Sequence, residues 1–320
     1  MLSKGLLKRQ NPFQNKLNPE VAPVIQEIIK VIKGQDRVVF LSIASLLAKG
    51  HILLEGPPGT GKTTLVIALS RVLGCSFKRI QFTSDMLPTD IIGTTVFDQR
   101  TGGFVFKEGP IFHNIILADE INRATPRTQS ALLEAMGEGQ VSVEGITYKL
   151  PQPFFVVATE NPLDHFGTFP LPDSQLDRFM AMAVLSYPDR KDEFEILMDG
   201  RLREKAERLT PILSPEKVVE LQEKVERVEV RQPLIDYILE IATISRKHSS
   251  VAFGLSTRGA LSILKLARAW AFIHNREFVI PDDIKTVAPF VMLHRIKPKD
   301  SSVDKRSIVV EIIDSVPVPE

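Results

Sequence analysis

Gly56-Pro57-Pro58-Gly59-Thr60-Gly61-Lys62-Thr63 is a complete G-x-x-x-x-G-K-[ST] match. The apolar run Ile52-Leu53-Leu54 precedes it, and helix-like Lys62 to Leu73 follows. Glycines in such a turn let successive backbone N–H groups face inward around phosphate oxygens, and the helix N-terminus adds its positive dipole end. Lys62 is then the contact to the β and γ phosphates, and the Thr63 hydroxyl a ligand for Mg²⁺. Thr64, the next residue, belongs to the same cradle. A chance Gly-rich turn is the rival reading, and the strand before and helix after weigh against it. The ligand this predicts is ATP with Mg²⁺.

Outward from that turn, strand-like runs recur at Phe77 to Phe82, Ile115 to Ala118, Phe154 to Ala158 and Ala181 to Leu185, with helical stretches between several of them. Short apolar strands alternating with helices predict an α/β fold whose parallel sheet is sandwiched by helices. Ile115 to Ala118 runs straight into Asp119-Glu120, 57 residues after Lys62. That order places Asp119 on the metal and Glu120 as the carboxylate that polarises the attacking water. Alone, Asp-Glu would read as a helix cap. Asn161 closes another apolar strand, where an amide can orient water in the crevice at the strand ends. By itself it would read as a turn residue.

The chain has 320 residues, which suits about two domains. Residues 1–17 read as a polar tail, 18–187 as the nucleotide-binding α/β domain, 188–296 as an all-helical lid and 297–320 as a C-terminal tail. The first domain opens with helices over Val21 to Lys33 and Asp36 to Lys49. The lid pattern is helical throughout, over Arg190 to Arg208, Pro215 to Val225, Gln232 to His248, Thr257 to His274 and Pro281 to His294. Ser214 and Ser256 are its expected N-caps. Arg306 to Val316 reads as a terminal strand or a tail. With 40 Lys and Arg against 39 Asp and Glu, the net charge of +1 argues against broad binding to nucleic acid or anionic membrane. Cys75, the sole cysteine, suits a reducing cytosol, and no apolar stretch approaches the roughly 20 residues of a membrane span. These features predict a soluble, cytoplasmic protein.

Together the motifs resemble the AAA+ ATPases, and more closely the MoxR-type family. Asp119-Glu120-Ile121-Asn122-Arg123 and Thr128 to Met136 look like its Walker B region and following helix; Leu171 to Phe179 looks like its arginine-finger segment, and Gly254-Leu255-Ser256-Thr257-Arg258 like its sensor 2. The family's usual Gln before the sensor 1 Asn is Glu160 here. The resemblance implies a ring of copies, commonly a hexamer, with ATP between neighbours. Arg178 then reaches the next subunit's site, with Arg123 and Arg127 as rivals for that role, and Arg258 contacts phosphate in its own subunit. Gln35, after Gly34, resembles the adenine-side contact. The alternatives for the two arginines are a surface pairing of Arg178 with Asp177 or Asp173, and a solvated helix start for Arg258.

Two hairpin-like inserts, Gly93 to Pro110 and Val141 to Leu150, resemble those of the MoxR, magnesium-chelatase and replicative-helicase clade. Arg100 and Lys107 balance Asp98 and Glu108 in the first, and Lys149 balances Glu144 in the second. A hairpin that grips phosphates should be basic, so nucleic acid is disfavoured as a partner. Phe97, Phe104 and Phe106 are expected to pack on the domain beneath. The six histidines show no metal-ligand spacing. The function expected is Mg²⁺-dependent ATP hydrolysis that remodels or matures a client protein; the resemblance suggests a client with a von Willebrand factor A domain. The rivals are a DNA-translocating motor or magnesium-chelatase-type subunit, and an assembly scaffold with negligible turnover.

Overall fold

The computed structural model describes residues 16–100, 102–161, 167–300 and 302–319; of the expected N-terminal tail, residues 1–15 lie outside that set. The chain enters through α1 (Ala22–Val31) and α2 (Asp36–Leu47), then β1 (Ile52–Glu55), α3 (Lys62–Val72) and β2 (Phe77–Gln81). A short α4 (Pro88–Ile92) leads to the hairpin β3 (Gly93–Asp98) and β4 (Gly103–Glu108). β5 (Ile115–Asp119), α5 (Pro126–Glu138), the second hairpin β6 (Gln140–Val143) and β7 (Ile146–Lys149), β8 (Phe155–Glu160), α6 (Asp173–Leu176) and β9 (Ala181–Val184) complete the α/β part.

Strands β2, β5, β8, β1 and β9 form one sheet in that order, every neighbouring pair parallel. Both faces are buried, as continuous apolar strands require. Ile52, Leu54, Ile115, Leu117, Phe155 and Val157 face a core shared with α1, α2 and α3. The alternate residues Leu53, Ile116, Ala118, Val156 and Ala158 face a second core with α5. The strand order brings β1, which leads into the cradle, beside β8, with β5 on the far side of β8. Their carboxyl ends therefore open on one crevice.

The lid comprises α7 (Arg190–Asp199), α8 (Leu202–Glu207), α9 (Pro215–Glu226), α10 (Gln232–Lys247), β10 (Val251–Phe253), α11 (Thr257–Ile273), α12 (Pro281–Met292), β11 (Lys297–Pro298) and α13 (Lys305–Ser315). Ser214 and Ser256 cap α9 and α11, accepting from the Lys217 and Gly259 amides at 3.3 and 3.0 Å. The lid does not form a core apart. Its apolar faces join the α1–α3 core, and Gln222 donates to the Leu46 carbonyl at 2.7 Å.

Four expectations change. The helix expected over 190–208 breaks at Gly200, which stands left-handed at φ 62° and separates α7 from α8. The lid is not helical throughout, because β10 pairs antiparallel with β11. Residues 306–316 are neither strand nor tail: α13 buries Ile308, Val309, Ile312 and Ile313, a helical spacing that a short apolar run conceals. Phe106 does pack inward, stacked on Tyr148 at 4.2 Å and so joining the two hairpins. Phe97 and Phe104 instead meet edge-to-face at 5.5 Å with both rings exposed, Phe104 by 76%. All three rings lie on one face of the ribbon, since Phe104 and Phe106 are two residues apart and Phe97 is paired with Phe104. Phe106 meets Phe112 and Tyr148 near the base, whereas Phe97 and Phe104 stand next to the turn.

Candidate functional site

The turn between β1 and α3 is open. Gly59 and Gly61 have φ of 80° and 87°, and nothing lies within 4 Å of a Cβ built on either. Only glycine adopts this backbone freely, and it leaves the amides uncovered for phosphate oxygens. Lys62 begins α3, with Thr63 and Thr64 in its first turn. The Lys62 ammonium donates to the Gly56 carbonyl at 2.6 Å, and Thr60 Oγ1 to the Pro57 carbonyl at 3.0 Å. Burial holds the Lys62 ammonium below the ordinary lysine value, while Asp119, Glu120 and Glu55 act in the opposite sense. Lys62 therefore stands within electrostatic reach of both acids at the end of β5.

Consecutive strand residues point to opposite faces, so two neighbouring acids need a backbone device to share one rim. Glu120 supplies it, with a left-handed φ of 56° directly after β5. Thr159 on β8 links the pair: its hydroxyl donates to Asp119 Oδ1 at 2.6 Å and accepts from the Glu120 amide at 2.9 Å. Asp119 also pairs with Arg79 at 2.6 Å, and Glu120 with Arg123 at 2.9 Å and Gln81 Nε2 at 3.0 Å. Asn161 follows β8, two residues past Thr159. Thr63 and Asp119 offer oxygen donors, which suit a hard cation carried in with phosphate. Gln35 lies beside the segment that follows β9, with its side chain donating to the Ser186 carbonyl at 2.7 Å.

Glu160 pairs in register with Glu55 of β1. Burial first, and Glu55 second, push its carboxyl from 4.5 up to about 7. The unfolded chain ionises this group near 4.5, so the folded chain holds the extra proton between there and about 7. Stability therefore falls as pH rises through that window, by at most roughly 3 kcal/mol. Glu160→Gln removes the ionisation. It should melt higher than the parent at pH 8 and alike at pH 4, and equal melting temperatures at pH 8 would contradict this.

The arginines lie elsewhere. Arg178 donates to the Leu133 carbonyl of α5 at 2.6 Å, and its guanidinium lies across Gly137, where an added Cβ would meet Nη1 at 3.0 Å. Arg258, at the start of α11, joins it in a cleft of about 210 Å³ lined also by His51, Leu261 and Lys265. None of residues 56–64 lines that cleft. The resemblance puts Arg258 on phosphate in its own subunit; in the fold it stands on the Arg178 side of the lid. The pairing of Arg178 with Asp177 or Asp173 is also absent, since Asp177 binds Arg295 at 2.6 Å and Asp173 binds Lys297 at 3.0 Å. Of the rival arginines, Arg123 is engaged by Glu120 of its own chain.

Arg295 escaped the sequence reading. Its side chain, 3% exposed, reaches from beyond α12 to the Asp177 and Phe179 carbonyls at 3.0 and 2.6 Å, and His294 meets the Phe179 carbonyl at 3.1 Å. The segment carrying Arg178 is thus bolted to the lid. Only a buried cation 118 residues away could have signalled it. Thr159, Arg79 and Gln81 were missed likewise, each a polar residue within a strand run.

Residues 51–181 match the model of the ATPase family associated with various cellular activities (AAA), and residues 243–312 that of the AAA lid domain. The chain is 44% identical to the Bacillus subtilis protein YeaC, over 96% of its own length and 97% of that protein. It is 40% identical to the chaperone MoxR1 of Mycobacterium tuberculosis, over 92% of this chain and 81% of the other. A crystal structure from Cytophaga hutchinsonii superposes with a TM-score of 0.87 at 38% identity, covering 94% of this chain and 95% of that one. Among the described residues no helix is long and apolar enough to cross a membrane.

Proposed function

Because the chain belongs to the MoxR-type AAA+ ATPases, we propose that it hydrolyses ATP with Mg²⁺ in a ring of copies, each site completed by a neighbour, and that hydrolysis remodels a client protein. One observation carries this reading. The cradle, Lys62 and the two acids share one rim, whereas Arg178 and Arg258 share a separate cleft, neither of them in an ion pair among the described residues. Cations crowded together repel one another, and an anion brought from outside the chain would relieve that. A neighbour's triphosphate has that charge.

In this arrangement the uncovered amides of Gly59 and Gly61 hold phosphate oxygens, and Lys62 releases the Gly56 carbonyl to reach the terminal phosphates. Thr63 and Asp119 hold the metal, which neutralises phosphate charge when bound. Glu120, freed from Arg123, accepts the proton of the attacking water, and Asn161 orients that water. Arg178 and Arg258 of the adjoining copy stabilise charge on the transferring group. The exposed Phe97–Phe104 pair sits on a hairpin whose Arg100 and Lys107 are balanced by Asp98 and Glu108, and an apolar tip without net positive charge favours a protein client over a phosphate backbone. The resemblance extends this client class to proteins with a von Willebrand factor A domain.

Turnover per chain should therefore rise with protein concentration, in step with association. Phosphate release and sedimentation velocity across the same dilution series check it. A single chain that hydrolyses ATP at the full rate overturns the reading.

A further inference from the structure

Asp177 and Arg295 meet as ions in a place nearly closed to water. The Arg295 side chain is 3% exposed and that of Asp177 21%, and Arg295 Nε donates to Asp177 Oδ1 at 2.6 Å. Taking two such charges out of water costs about what their attraction returns, and an apolar pair of similar volume would fill the space as well or better. Stability is therefore a poor reason for the pair. What a charge and a planar fork of donors provide, and methyl groups cannot, is direction.

The donors are aimed at the two arginines' supports. Arg295 Nη2 donates to the Asp177 and Phe179 carbonyls, on either side of Arg178, at 3.0 and 2.6 Å, and Nη1 donates to that of Val291 in α12 at 2.8 Å. The Asp177 carboxylate meanwhile accepts from Ser256 Oγ at 3.1 Å, and that oxygen accepts from the Gly259 amide, capping the helix on which Arg258 stands. The first turn of α11 leaves no slack against the pair: a Cβ on Gly259 would come within 2.9 Å of Arg295 Cδ. Burial lowers the Arg295 guanidinium below the ordinary arginine value, Asp177 opposes this, and Arg258 adds to the lowering, so the two guanidiniums lie within electrostatic reach. One ion pair thus grips the main chain on both sides of Arg178 and, through Ser256, the start of the helix bearing Arg258.

We propose that Asp177 and Arg295 are positioning residues, whose buried pair sets the reach of Arg178 and Arg258 toward a neighbour's nucleotide. This rests on the shared-site reading above. Arg295 and Ser256 belong to the lid, Asp177 and Phe179 to the α/β part, so the pair makes the two cations one rigid unit in place of two separately hinged arms.

Asp177→Asn keeps the shape of the side chain and removes its charge, while Arg295→Lys keeps the charge and removes the fork. Each should lower turnover about 10²-fold, which misplacing a group by roughly 1 Å can cost, and leave calorimetric ATP affinity at the parental value. The defect should lie in what the chain offers its neighbour. Rings mixed with Glu120→Gln should therefore regain activity, because those copies supply correctly mounted arginines, whereas rings mixed with Arg178→Ala should stay inactive. A fault in folding, or in the variant's own nucleotide site, would not be repaired by Glu120→Gln. Circular dichroism and sedimentation velocity verify that the variants fold and enter mixed rings. Should both fail to fold, the apolar pair Asp177→Leu with Arg295→Met restores packing and should show the same loss and the same selective repair. Parental turnover in a folded variant overturns the positioning role and leaves the shared site standing; so does repair by Arg178→Ala, or by neither partner. If Arg178→Ala mixed with Glu120→Gln stays inactive, Arg178 has no part to be positioned for and the role falls with it. A parent that hydrolyses ATP at the full rate as a single chain sinks the shared site itself.

Discussion

Glu120→Gln should bind ATP as the parent does while hydrolysis falls by about 10²–10⁴, the usual worth of a positioned general base. The amide keeps the shape of the side chain and tolerates the left-handed backbone, so the acid rim stays in place. What it loses is the ability to take a proton. Thr159 still bonds Asp119 and the residue 120 amide, because neither contact uses the Glu120 carboxylate. Lys62 and Thr63 are untouched, and the phosphate cradle keeps its affinity. Single-turnover phosphate release beside calorimetric ATP titration separates these effects. A variant within tenfold of the parental rate would remove Glu120 from the role of base.

Arg178→Ala should cost more, on the order of 10³–10⁵ in turnover, if its guanidinium meets a neighbour's nucleotide. ATP affinity of the isolated chain should not move, since none of the cradle residues lines the Arg178 cleft. The local cost is small, with the carbonyl of buried Leu133, itself within α5, losing one donor for about 1 kcal/mol. Arg178→Lys should rescue only partly, because a point charge cannot reproduce the planar fork. The decisive measurement mixes Arg178→Ala with Glu120→Gln, each inactive alone. In rings of random composition about a quarter of the contacts pair an intact Glu120 with an intact Arg178. Activity should return to roughly that fraction of the parent. Mixed rings without activity would transfer the role to another arginine, Arg127 first, since Arg123 already faces its own Glu120.

Why some of this was legible and some not follows from what a linear pattern encodes. The cradle and the acid pair are local: spacing alone sets Gly56 to Thr63 on a strand–turn–helix junction and Asp119 at the end of a buried strand. The left-handed turn at Glu120 is invisible, because glutamate has no preference for it; Thr159 and the 3₁₀ turn after it hold it there. Arg258 could be recognised on its helix, but its destination depends on how the lid packs, which α2, α9 and a buried Arg295 decide across more than a hundred residues. The apolar residues of α7 read as ordinary helix periodicity. Only the fold shows that Phe194, Leu197 and Met198 among them face outward.

The helix over residues 305–315 changes how the end of this chain acts mechanically. Its stripe of isoleucines and valine is sunk in the lid's apolar interior, so it moves as ballast with the lid and cannot swing as a loose arm. A pull applied at the last turn of this helix is felt by the lid before any other part of the molecule.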